Sequence, residues 1–136
     1  MFALGKRKEY NSKRSMAKIL LIEDEKILAK MYKDKFEEAG YKTDLAFSAE
    51  EAFECLKAEK PDLILLDILL PRKNGVEFLK EFKEITGTSQ IPVVGLSNYD
   101  DPETKKKTFE LGIKEYLIKT QYTPQELLEK IKKYLE

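Results

Sequence analysis

The chain has 136 residues, 42% hydrophobic and 37% charged, which is the makeup of one globular domain with a densely charged surface. Its 25 basic and 25 acidic residues cancel, so net charge points to neither nucleic acid nor membrane as a partner, and apolar runs of at most four residues exclude a spanning helix. With no histidine and one cysteine, Cys55, there is no Ser-His-Asp or Cys-His catalysis, no His-ligated zinc and no internal disulfide; a reducing, cytoplasmic setting fits.

Residues 1–15, MFALGKRKEYNSKRS, are polar and basic without the apolar stretch of a secretory signal, and read as a disordered leader before a domain at 16–136. AKILLI (17–22) is a short aliphatic strand that stops at Glu23-Asp24-Glu25. KILAKMYKDKFEEAG then places Ile27, Leu28, Met31, Tyr32 and Phe36 at helical spacing, with Gly40 as the stop. YKTDLAF (41–47) alternates as a strand. Ser48 and Glu51 form a capping box for the helix AEEAFECLKAEK, which Pro61 ends. The strand DLILLD (62–67) follows, and Asn74-Gly75 opens the helix VEFLKEFKEI. IPVVGLS (91–97) is the fourth strand, with Asp101 as N-cap and Pro102 as first residue of a helix that runs to Gly112. KEYLIK (114–119) is the fifth strand, and Thr123, Pro124 and Glu126 cap the last helix.

Five βα units in succession, with strands apolar on both sides, predict an α/β fold: a doubly wound parallel sheet between two helical layers. In such sheets ligands gather beyond the carboxyl ends of the strands. The residues expected at that edge are Glu23 and Asp24, Asp67, Ser97 and Asn98, and Lys119 and Thr120. No G-x-G-x-x-G or Walker A spacing occurs, so chemistry must come from carboxylates, a lysine and hydroxyls. Crowded carboxylates bind a proton or a cation, and an oxygen-only set selects a hard divalent ion, foremost Mg²⁺. A hard cation, an ammonium and a hydroxyl suit a phosphoryl group, which an aspartate can accept as an acyl phosphate.

Taken singly, these residues have plainer uses. Asp67 can cap its own turn, Glu23 and Asp24 can sit at a helix N-terminus, and Ser97 and Lys119 can be loop and surface groups. Cys55 lies beside Ala52 and Leu56 and reads as packing. Lys105-Lys106-Lys107 reads as a solvated helical face, with docking of an acidic partner as the alternative.

Four segments in order, LLIEDE, PDLILLDILLPRKNG, IPVVGLSN and LGIKEYLIKT, resemble the receiver domain of two-component response regulators. That resemblance implies a flavodoxin-like (βα)5 sandwich with strand order 2-1-3-4-5. It implies that Asp67 takes a phosphoryl group from a phosphohistidine of a sensor histidine kinase or histidine phosphotransfer protein. Asp24, Asp67 and the backbone carbonyl of Leu69 would hold Mg²⁺, with Glu23 acting through water. Ser97 and Lys119 would contact the phosphoryl oxygens, and Tyr116 would be the aromatic switch. A downstream protein would bind the face built from the fourth helix, fifth strand and fifth helix, on a monomer or a phosphorylation-dependent dimer. The implied role is a switch rather than an enzyme, with at most slow self-catalysed phosphotransfer and dephosphorylation.

The chain departs from the family at Thr120, where proline usually follows the lysine, and at Asn98, where a small residue is common. A trans Lys119–Thr120 bond or a reshaped loop is expected, because a cis bond before threonine costs about 3 kcal/mol. Other classes fit less well. A haloacid-dehalogenase-type phosphohydrolase needs a second aspartate where Leu69 stands, and Glu23, Asp24 and Glu25 would repel a flavodoxin's flavin phosphate. The acceptor set argues against a degenerate, unphosphorylated scaffold. The sequence closes with its fifth helix, so no output domain is expected in this chain, whether it stands alone or is cut from a longer regulator.

Overall fold

The computed structural model describes residues 17–85 and 90–136; the leader at 1–15 and the proposed start at 16 lie outside the described residues. The elements are β1 (Lys18–Ile22), α1 (Lys26–Glu38), β2 (Lys42–Ala46), α2 (Ala49–Ala58), β3 (Leu63–Asp67), α3 (Gly75–Lys83), β4 (Val93–Ser97), α4 (Pro102–Glu110), β5 (Glu115–Ile118) and α5 (Pro124–Ile131). The five strands pair in parallel in the order β2-β1-β3-β4-β5. This is the doubly wound sheet that the sequence predicts, with the expected strand order.

Strand periodicity divides the core. Ile19, Leu21, Leu63 and Leu65 face one side and pack with Tyr32 and Phe36 of α1 and Leu127, Leu128 and Ile131 of α5. Leu20, Ile22, Ile64 and Leu66 face the other and pack with Ala49 and Ala52 of α2 and Phe78, Leu79 and Phe82 of α3. The central strands β1, β3 and β4 are buried throughout, whereas β2 and β5 at the edges are only partly covered.

Helix α1 buries Ala29, Tyr32 and Phe36, with Leu28 on the flank, but leaves Ile27 82% and Met31 51% exposed. The expected apolar face therefore holds only in part. At 100° per residue, Ile27 and Met31 lie roughly 160° and 120° from the centre of the buried stripe, so apolar character alone misplaced them.

The caps differ in detail. Ser48 Oγ accepts from Glu51 N at 3.1 Å, but Glu51 reaches back to Phe47 N, one residue before the cap. Asn74–Glu77 and Thr123–Glu126 close full reciprocal boxes. Asp101 occupies the N-cap position before Pro102, yet its carboxylate accepts from the Thr104 hydroxyl rather than from an amide. The Lys119–Thr120 bond is trans, and the chain leaves β5 through a single 3₁₀ turn, Lys119–Gln121. Of the two expected outcomes before Thr120, the structure shows the trans bond.

Gly75 sets the position of α3. Its amide donates to the Ile68 carbonyl at 2.8 Å, and a Cβ there would lie 2.7 Å from Ile68 Cα. Only glycine lets the helix start so close to the residue after Asp67. Gly75→Ala is expected to cost about 1–3 kcal/mol in urea unfolding; unchanged stability would show that the turn relaxes freely.

Candidate functional site

The carboxyl ends of β1, β3 and β5 converge on one cluster of charges. Glu23 follows β1, is fully buried, and donates its amide to the Ala46 carbonyl of β2, which fixes the turn. Asp67 ends β3 and is 4% exposed; Lys119 follows β5 and is 8% exposed. Lys119 Nζ lies 2.6 Å from Glu23 Oε1 and 3.3 Å from Asp67 Oδ2, bridging two acids from different strands. The remaining oxygens are also engaged: Glu23 Oε2 accepts from Glu25 N, and Asp67 Oδ1 accepts from Leu69 N, both at 3.1 Å.

One ammonium does not balance this site. Glu23, Asp24 and Asp67 each offer an oxygen, and these lie within 4.8 Å of one another. Asp24 is the solvent-facing member, and among the described residues its carboxylate has no hydrogen bond or ion pair. Burial, followed by the neighbouring Glu23 charge, pushes Asp67 up to about 7, against the opposing pull of Lys119 and the Leu69 amide. Burial acts to lower Lys119, but the Glu23 hydrogen bond and the charges of Asp67 and Glu23 outweigh it and hold Lys119 above the ordinary lysine value. Three carboxylates with no nitrogen or sulfur donor, open on the Asp24 side, fit a hard divalent cation.

Ser97 ends β4 and is 3% exposed. Asp67 pairs with Leu96 in the sheet register, which puts Ser97 one residue further along the same edge. Its Oγ accepts from Tyr99 N at 3.2 Å. Tyr116 is buried in β5, and its hydroxyl donates to the Tyr99 carbonyl at 3.0 Å. The backbone of Tyr99 therefore touches both residues, linking the loop after β4 to the middle of β5. Sequence reasoning missed Tyr99, because the contact is made by its backbone and carries no side-chain signature.

The structure brings Glu23, Asp24, Asp67 and Lys119 together, sets Ser97 at the same edge, and places Tyr116 one link further away. Leu69 presents its amide to Asp67, while its side chain is 54% exposed on the rim. Asn98 is exposed. A cleft of about 710 Å³ between α2 and α3, lined in part by Phe53, Leu56, Ile85 and Ile91, shares no residue with the acid cluster. No helix among the described residues is long and apolar enough to cross a membrane.

Residues 19–132 match the family model of the response regulator receiver domain. The transcriptional regulatory protein CrdR of Helicobacter pylori is 36% identical over 117 residues, covering 86% of this chain and 54% of that protein. The structure of the Vibrio cholerae chemotaxis protein CheY4 superposes with a TM-score of 0.82 at 26% identity, over 88% of this chain and 98% of that one. Response regulator Rcp1, solved in its Mn²⁺-bound form, gives 0.77 at 26% identity, over 88% and 95%. The chain spans about half the length of the curated relatives it matches.

The Asp67 shift has a consequence for stability. Its ordinary value is 3.8 and its folded value about 7, so between them the native state keeps a proton that the unfolded chain has lost. Stability then falls as pH rises through that window. Metal-free Asp67→Asn is expected to melt about 3–8 °C above the wild type at alkaline pH, with the difference vanishing in acid. Calorimetry with a chelator present measures this, and a variant that melts lower at alkaline pH would contradict the buried-charge reading.

Proposed function

The chain belongs to the response regulator receiver domain family of two-component signalling, and from that premise we propose that Asp67 accepts a phosphoryl group from a phosphohistidine. The observation that carries this is one lysine shared by two buried acids, Lys119 between Glu23 and Asp67. In the transfer, the P–N bond of the phosphohistidine breaks as a bond forms from phosphorus to an Asp67 oxygen, and the leaving imidazole keeps the electron pair. Lys119, released in part from Asp67 by the new bond, is placed to pair with the phosphoryl oxygens. Ser97 Oγ accepts from the Tyr99 amide, so its own proton remains available to donate to the phosphoryl group.

Mg²⁺ is the ion that receiver domains generally bind, and the acid cluster suits it. Asp24, Asp67 and the Leu69 carbonyl would hold it directly, and Glu23, already tied to Lys119 and to the Glu25 amide, would act through water. When bound, the ion supplies positive charge against the phosphoryl oxygens. That Rcp1 was solved in a Mn²⁺-bound form supports divalent-ion binding by this chain.

The switch runs from Ser97 through the Tyr99 backbone to Tyr116, and from there to the face formed by α4, β5 and α5, where a downstream protein binds. Such a chain turns over no external substrate; its chemistry is its own phosphorylation and slow dephosphorylation, in the cytoplasm. The phosphodonor is a sensor histidine kinase or a histidine phosphotransfer protein. Ile27 and Met31, exposed one turn apart on α1, the helix that follows Asp24, offer that donor an apolar contact.

Acetyl phosphate with a magnesium salt is expected to add one phosphoryl group, labile to alkali, and Asp67→Asn to abolish the gain in mass. A labelled Asp67→Asn protein would overturn the acceptor assignment. With a phosphohistidine donor, Ile27→Asp or Met31→Asp is expected to slow transfer about tenfold, the loss of one good apolar contact. Labelling by acetyl phosphate should stay unchanged in both variants, and equal loss from both donors would rule out a docking role.

A further inference from the structure

Helix α4 is the most weakly anchored of the helices around the sheet. Within the helix only Thr108 is buried, whereas α3 buries Phe78, Leu79 and Phe82, and α5 buries Leu127, Leu128 and Ile131. Thr108 spends its hydroxyl on its own helix, at 2.9 Å from the Thr104 carbonyl and 3.0 Å from that of Lys105. Lys105 makes the contact that points elsewhere. Its Nζ sits over the ring of Tyr116, 6.0 Å from the centroid, and 3.8 Å from Asp100 Oδ1.

Tyr116 is thereby held at two points. Its hydroxyl donates to the Tyr99 carbonyl, and its ring faces the ammonium of α4. We propose that Lys105 is a positioning residue that ties helix α4 to the Tyr116 ring, so that the helix keeps its place only while the ring stays buried. This rests on the reading of Tyr116 as the residue that carries the state of the acceptor pocket to the surface. A ring that swings outward leaves Lys105 with Asp100 alone. That pair is 44% and 67% exposed and contributes little in water. An exposed cation–ring contact shifts an equilibrium by about two- to fivefold, and a helix with one buried residue has little else to resist such a shift.

Amide hydrogen exchange across α4 tests this in the unphosphorylated, metal-free protein. Lys105→Met keeps the stem and removes the charge; it is expected to speed exchange in α4 about two- to fivefold and leave α5 unchanged. Lys105→Arg should restore the wild-type rate, and Lys106→Met on the same helix should have no effect. Tyr116→Leu should give the same acceleration as Lys105→Met, and the double variant no more than either alone. The Lys105 methylene protons should lose an upfield ring-current shift in Tyr116→Leu. Wild-type exchange in Lys105→Met, accelerations that multiply in the double variant, or full reproduction of the effect by Asp100→Asn would each overturn the proposal. The switch reading of Tyr116 fails separately: if protein that acetyl phosphate has labelled shows unchanged α4 exchange, that reading is contradicted, while the unphosphorylated variants still decide the role of Lys105.

Discussion

Lys119 makes the rest of the site possible. Two carboxylates, one fully buried and one nearly so, could not share the end of a sheet without a positive charge between them, and this ammonium is itself 5% exposed at its side chain. Burying such a group is costly when it is unpaired and tolerable when each oxygen and proton is engaged. Here the engagement is nearly complete: Glu23 holds Lys119 and the Glu25 amide, and Asp67 holds Lys119 and the Leu69 amide. The three groups come from β1, β3 and β5, so the electrostatics depend on the strand order that brings those ends together. What stays unbalanced is Asp24, on the open side. The remaining negative charge therefore lies on the open side, where the proposed cation and phosphoryl group would enter.

The path away from the site is short and built from backbone. Tyr99 meets the Ser97 hydroxyl with its N–H and the Tyr116 hydroxyl with its carbonyl, so on the proposed switch a move of Ser97 would reach β5 through a single residue. Beyond it, the molecule is unevenly anchored. Helices α1, α3 and α5 bury aromatic and aliphatic side chains on the sheet, while α4 lays mostly polar residues over it. A switch needs an element whose two positions differ little in energy, and α4 is the helix whose packing allows that.

Most of the fold was legible because strand and helix periods, Pro61, Gly40 and the cap residues agree with one another. The site was legible because strand ends are where such sheets gather polar groups, and Asp67 stands out at the end of an aliphatic run. Other features were hidden for definite reasons. Ile27 and Met31 look like core residues until the buried stripe is seen to run through Ala29, Tyr32 and Phe36. The need for Gly75 comes from the close approach of Ile68, a tertiary contact that an Asn-Gly pair does not announce. The Lys119–Glu23 pair spans 96 residues, and only the sheet order makes them neighbours. Lys105 looked like one member of a solvated lysine run, because nothing local shows that it lies over Tyr116.

A magnetic resonance titration with Mg²⁺ and beryllofluoride, a mimic of the acyl phosphate, tests the central claim most directly. Saturable shifts should begin at Asp24, Asp67 and the Lys119 side chain and extend through Ser97 and Tyr99 to Tyr116. The account is contradicted if millimolar Mg²⁺ with the mimic leaves those resonances unmoved, or if Asp67→Asn protein gives the same shifts.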